Sequence, residues 1–256
     1  MKKMLTSLLL FLTALAPTLA QQTVDAREII AKINRKEPVT YQNVTITGDL
    51  DLTNLANRRE RREGNWRGES EEYLSTVEAP LTFRNCQFQG KVLAYRTEEN
   101  RPMKASSKVY NADFREAVTI ENCQFADDAA FKYSTFSQRA LFTGNTFRDD
   151  ALFKYAKFRN AADFSGSTFQ GYADFKYTKF DEESAFQKVA FERTADFKYT
   201  KFDEGTDFRQ ARFSGNADFK YTHFPQGTNF DEVRFNGSTD FKYTTLDGRR
   251  FAPNGR

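Results

Sequence analysis

"ADFKYTKF" occupies residues 173–180 and recurs unchanged at 195–202, then as "ADFKYTHF" at 217–224 and "TDFKYTTL" at 239–246. The phrase therefore returns at a constant interval of 22 positions. Counting between aromatic positions explains the interval. Phe131, Phe136, Phe142, Phe147, Phe153, Phe158, Phe164 and Phe169 are separated by alternate steps of 5 and 6, and the alternation runs unbroken to Phe241 and Leu246. Upstream it extends through Phe125, Ile120 and Phe114 to Val109. Four steps sum to 22, so four steps are predicted to make one full coil of a four-sided solenoid. Neither a helical nor a heptad period fits.

Two residues before most of these Phe stands a small side chain. Ala129, Ala151, Ala173, Ala195 and Ala217 do so on one side; Ser134, Ala156, Thr178, Thr200 and Thr222 on the next. In extended backbone, residues i and i−2 share a face, so large and small residues both point inward. A unit of a small residue, any residue, a central Phe or Leu and two polar residues resembles the pentapeptide-repeat family, over about residues 81–246. The alternation of five- and six-residue units is similar to a Phe-centred branch of it. That resemblance implies a right-handed quadrilateral β-helix and a bacterial source. Of 27 Phe, all but Phe11 and Phe251 fall on the lattice. Each burial contributes roughly 1.5–3 kcal/mol gross, so the core needs no metal or cofactor.

The flanks divide the chain further. Residues 1–20 have a basic start (Lys2, Lys3), an apolar stretch and Thr18-Leu19-Ala20 before Gln21, the pattern of a cleaved secretory signal. An exported protein, periplasmic or secreted, follows, with no membrane contact after cleavage. Within 21–38, Asp25 and Glu28 have capping-box spacing and Ile29, Ile30 and Ile33 share a face, predicting a helix over 25–35 that caps the first coil. The β-helix then runs over 39–246, with loop insertions near 53–76 and 94–108. In the tail, 247–256, Phe251 is placed to cover the last coil.

Composition excludes much chemistry. The net charge of +3 falls to +1 without Lys2 and Lys3, which argues against nucleic acid as a partner. One His and two Cys leave no Cys/His zinc site, and no nucleophile elbow, P-loop or dinucleotide motif is present. A non-enzymatic role is therefore expected. His223 takes the column position of Lys157, Lys179 and Lys201 and reads as a solvated substitute. Cys86 and Cys123 lie 37 apart, which is one coil plus a fifteen-residue insertion, so they stack inward in successive coils. Their Cα spacing suits a disulfide. Two parallel inward side chains make a poor bridge, so buried free thiols are the preferred reading.

The outward columns are the candidate binding surface. Lys132, Lys154, Lys176, Lys198, Lys220 and Lys242 form one column, and Tyr133, Tyr155, Tyr177, Tyr199, Tyr221 and Tyr243 form its neighbour. Asp174, Asp196, Asp218 and Asp240 stand across the central Phe and counter the lysines. This strip serves either as a solvated ladder or as the contact for an extended protein or glycan. Acidic corners, Asp127-Asp128 on Asp149-Asp150 and Asp181-Glu182 on Asp203-Glu204, suggest weak Ca²⁺ binding or polysaccharide cleavage as alternatives. Thr178, Thr200, Thr222 and Thr244 point inward in this register and so offer no ice-binding face. End-to-end pairing of two copies is a further expectation.

Overall fold

The computed structural model describes residues 22–61, 71–98, 108–251 and 253. The expected signal segment lies outside these residues. The chain winds into a four-walled parallel β-helix with sheets of nine, eleven, seven and eight strands. One coil in the regular region runs Ala173–Asp174 on the first wall, Lys179–Phe180 on the second, Ser184–Ala185 on the third and Ala190–Phe191 on the fourth. Ala173 pairs in parallel with Ala195, and Lys179 with Lys201, so each coil closes at the predicted interval.

The alternation of five and six is a turn alternation. Every five-residue step in the regular region is a tight turn whose third residue has positive φ: Tyr133, Tyr155, Tyr177, Tyr199, Tyr221 and Tyr243 at one corner, and Gly144, Gly166, Lys188, Gln210 and Glu232 at another. In Phe175-Lys176-Tyr177-Thr178 the Thr178 N–H donates to Phe175 O at 3.0 Å, and Tyr177 has φ 58°, the type II pattern. Between Phe125 and Phe241 the six-residue steps use bends without positive φ, except at Gly227.

Inside, lattice Phe stack along each wall and meet edge-on across walls. Phe153, Phe175 and Phe197 stack at 5.0 and 4.9 Å, within 5° of parallel, whereas Phe175 and Phe186 meet at 5.5 Å and 87°. Both geometries suit the ring quadrupole. The small inward residues carry buried hydroxyls. Thr178, Thr200, Thr222 and Thr244 donate to Phe153, Phe175, Phe197 and Phe219 carbonyls of the preceding coil at 2.6–2.7 Å. Burying these hydroxyls therefore leaves no donor stranded.

At the N-terminal end, Ala26–Asn34 is helical and buries Ala26, Ile29 and Ile33. Asp25 caps it by accepting from Arg27 N at 2.8 Å, and its partner is Arg27 rather than Glu28. The preceding strand Gln22–Asp25, not anticipated, pairs in parallel with Val44–Thr47. At the other end, Arg249–Arg250 turns back on Thr245–Leu246 and Phe251 lies 4.9 Å from Phe230.

Both insertions differ from the loops expected. Their described parts are strands: Arg59–Glu60 runs antiparallel to Glu71–Val77, and Tyr95–Glu98 antiparallel to Lys108–Phe114. The two long strands pair with each other in parallel and lead into the second wall. Val109 is therefore not a lattice residue. Ala94, fully buried, fills that position, because Val92 pairs with Ala129 and Ala94 N donates to Ala130 O at 2.8 Å.

Stability should follow ring position. Phe175→Ala, in the middle of a stack, is expected to cost about 3–5 kcal/mol in urea unfolding. Phe235→Ala, half-buried in the last coil, should cost clearly less. Equal losses would contradict stacking as the source of stability.

Candidate functional site

The corner between the first and second walls carries the tyrosines and lysines singled out from the sequence. Positive φ is uncommon for a residue with a Cβ, and the equivalent turn on the opposite corner uses Gly144 and Gly166 before Lys188, Gln210 and Glu232. Six tyrosines adopt it here, each with φ between 57° and 62°. The stack holds them there: Tyr177 N donates to Lys198 O, and Tyr199 N to Lys220 O, at 3.0 and 2.9 Å. The opposite corner makes this turn with Gly, Lys, Gln or Glu, so what sets this corner apart is the tyrosine side chain itself.

All six rings point outward and form one pile. Successive centroids from Tyr133 to Tyr243 lie 4.9, 4.8, 4.7, 4.6 and 4.8 Å apart. Tyr95, at the root of the second insertion, extends the pile at 5.6 Å from Tyr133; its place off the repeat hid it in the sequence. Ring faces in the pile are occupied by neighbours, so solvent meets ring edges and phenol hydroxyls. Burial raises the Tyr133 and Tyr95 phenols above their ordinary value, which keeps them protonated donors.

Lysines flank the pile on both sides. The Nζ atoms of Lys154 and Lys176 lie 5.3 and 5.5 Å from the centroids of Tyr155 and Tyr177. Lys157, Lys179, Lys201 and then His223 line the second-wall side, where His223 Nδ1 shares a 2.8 Å hydrogen bond with Thr245 Oγ1. Between them, Tyr177, Tyr199 and Tyr221 with Lys201 and His223 enclose a shallow trough of about 290 Å³.

The aspartates fix the near lysine column. Asp174, Asp196, Asp218 and Asp240 each accept from the backbone N–H two residues on, of Lys176, Lys198, Lys220 and Lys242, at 2.9–3.1 Å. Asp218 also pairs with Lys198 at 3.3 Å, and Asp240 with Lys220 at 3.0 Å. The balance is uneven along the column. Ala130 and Leu152 stand where the later coils have Asp. Lys132, Lys154 and Lys176 have no ion pair among the described residues.

The insertions leave the lattice at this same corner, after Leu52 and after Ala94. Beside the pile they hold a second aromatic group: Tyr73 stacks on Tyr110 at 5.1 Å, with the Arg96 and Arg58 guanidinium carbons 4.0 and 5.3 Å from the Tyr110 centroid.

The remaining sequence candidates fall elsewhere. Cys86 and Cys123 are both buried free thiols, so the disulfide is not formed. Each sulfur lies 3.3 Å from the carbonyl two residues before it, Arg84 O and Glu121 O, and Cys86 N donates to Cys123 Sγ at 3.2 Å. Both sulfurs thus engage backbone groups as well as each other. Carboxylate oxygens of Asp127, Asp128 and Asp149 come within 4.8 Å of one another, with Lys91 Nζ 3.0 Å from Asp128. Lys179 and Arg159 bind Asp181 at 2.6 and 3.0 Å.

Comparison with known proteins agrees with the geometry. The family model described as pentapeptide repeats (9 copies) matches residues 153–201 and again 197–245. No curated protein and no solved structure matches the chain.

Burial gives Asp174 a pH signature. The Asp174 carboxyl is raised by burial, against the Lys176 N–H, with Asp196 adding to the rise. The folded state thus holds this proton more tightly than the unfolded chain does. The contribution of this carboxyl is fully present below the ordinary Asp range and declines as pH rises through the raised value. Asp174→Asn keeps the acceptor for Lys176 N. Its urea midpoint should match the parent near pH ~3, below the ordinary Asp range, and exceed it at neutral pH; a lower midpoint at neutral pH would contradict this.

Proposed function

Because the chain belongs to the pentapeptide-repeat family, we propose that it is a non-catalytic, exported interaction scaffold whose first-to-second-wall corner holds an extended anionic partner along the solenoid axis. One observation carries this reading: the tyrosine pile hides ring faces and presents ring edges between the near lysine column and, on the second-wall side, Lys157 and Lys201. An aromatic ring is electronegative on its faces and electropositive at its edge. The strip therefore offers positive edges, phenol donors and ammonium groups together.

The same geometry disfavours other partners. Single-stranded nucleic acids bind through bases stacked on open aromatic faces, and neighbours 4.6–4.9 Å away close these faces. Cleavage of a polysaccharide at the acidic corners has less support. Lys91 neutralises Asp128, while Lys179 and Arg159 neutralise Asp181.

Export rests on residues 1–20, with their basic start, apolar stretch and Thr18-Leu19-Ala20 before Gln21. Mass spectrometry of the extracytoplasmic protein should find Gln21 at its N-terminus; an intact Met1 there would contradict cleavage.

The strip is tested on immobilised dextran sulfate. K132A/K154A/K176A, which removes three of the four near-column lysines without ion pairs, should weaken retention at least about tenfold and flatten its salt dependence, with an unchanged urea midpoint. K198A/K220A should do less, since those lysines are partly neutralised by Asp218 and Asp240. Unchanged retention of the first variant would remove the strip as the anion site.

A further inference from the structure

We propose that the first wall binds a second copy of this chain, the two solenoids lying side by side and parallel about a two-fold axis along their length. This rests on the anion-binding reading above, and it names the acidic edge of another copy as the anion that the first lysines meet.

The observation is a charge pattern across the wall. Extended backbone turns alternate residues to one face, so Asp128, Ala130 and Lys132 share the outer face of one coil, and Asp150, Leu152 and Lys154 that of the next. The residues between them, Ala129, Phe131, Ala151 and Phe153, are buried. Ladder bonds hold the two triplets in register. Ala129 N donates to Asp150 O, Phe131 N to Leu152 O and Tyr133 N to Lys154 O, at 2.9, 2.7 and 3.0 Å. Each of these coils thus presents acid, apolar group and base in order from one edge of the wall to the other.

Such a face is its own complement. A two-fold axis along the solenoid reverses the strand direction of the facing wall, so each acid meets a base of the other copy and the apolar centres meet each other. Turning the second solenoid end for end would keep the strand direction and set acid on acid. Both members also have the same coil height, so the match does not drift from one coil to the next. The other cation column, Lys157, Lys179 and Lys201, belongs to the second wall and takes no part.

The charges are available for this contact. Lys132 and Lys154 have no ion pair among the described residues and lie 5.3 Å from the Tyr95 and Tyr155 centroids. Asp150 likewise has none, and its Oδ1 accepts from the Tyr172 N–H at 3.0 Å, which orients the carboxylate. One coil earlier, Lys91 Nζ lies 3.0 and 3.7 Å from Asp128 and Asp127. One cation there serves two carboxylates, so an acidic surplus remains.

The same pattern bounds the contact. Leu93, Ala130 and Leu152 pair in one column, and its next member is Asp174. From Asp174 to Asp240 the wall carries aspartate at its centre, which would face its own copy across the axis. Contact is confined to about three coils, roughly 15 Å of height, which places the dimer in the small and transient class.

The test is sedimentation velocity of the purified protein at low salt over a range of concentrations, with circular dichroism as the check on folding. A monomer–dimer equilibrium should appear and weaken as salt is added. Asp150→Lys and Lys154→Asp should each weaken the dimer at least about tenfold, because each sets like charges opposite one another. The two single variants mixed in equal amounts should associate with each other, and D150K/K154D should recover the parent dimer. A protein that stays monomeric would overturn the proposal. So would a dimer indifferent to both substitutions, as end-to-end pairing would give, or a double variant no better than the singles. In each of these cases lysine-dependent retention on dextran sulfate leaves the anion strip standing, and only its loss removes that reading as well.

Discussion

Closure of every coil over the same length of chain is the constraint on which everything else depends. It brings like residues into register, so the backbone hydrogen bonds of one coil meet those of the next and every lattice Phe except Phe83, which lies between Tyr41 and Ile120, lies over another. Spacing between strands and spacing between stacked rings are nearly the same length, about 4.8 Å. Ala173 over Ala195 and Phe175 over Phe197, at 4.9 Å, express that single coincidence. Shifting one coil by a residue would turn its Phe outward and leave Thr hydroxyls without the carbonyls they reach.

The surface inherits this order. A side chain fixed once per coil becomes a column, and whatever it does chemically is multiplied along the axis. For lysine alone that multiplication is repulsive. The aspartates across the central Phe offset it, through backbone N–H groups and, at Asp218 and Asp240, through lysine Nζ atoms. For tyrosine it is attractive, and the outcome is a closed pile whose electropositive edges face outward. Two unlike responses to one geometry give the corner its character.

The insertions sit at the end of this pile and not at a random position. Both depart from the first-to-second-wall corner, where Leu52 and Ala94 hold the lattice position taken by Phe in later coils. There the chain leaves the helix as an arm and returns along a strand that joins the second wall. Tyr95 links arm and pile, so the strip ends against a second group of tyrosines and arginines rather than in open solvent.

Periodicity made the coil length, the inward Phe and small residues and the outward Lys and Tyr columns legible in the amino-acid sequence, because a residue repeated every 22 positions must occupy one place on a rod that turns every 22. Where the repeat stopped, so did that inference. Val109 fitted the count of steps, yet it pairs with Thr97 and Glu72 in an arm while Ala94 fills the core. Residues 53–76 and 94–108 have loop-like composition, and only pairing across the two insertions makes strands of their ends. Cys86 and Cys123 were neighbours by arithmetic, but the direction of each sulfur toward a carbonyl depends on backbone turns around Asn85 and Asn122, both at positive φ. Which face of a tyrosine meets solvent was likewise undecided until the rings were placed in space, since one-dimensional order fixes position along the column and contact between neighbours fixes orientation.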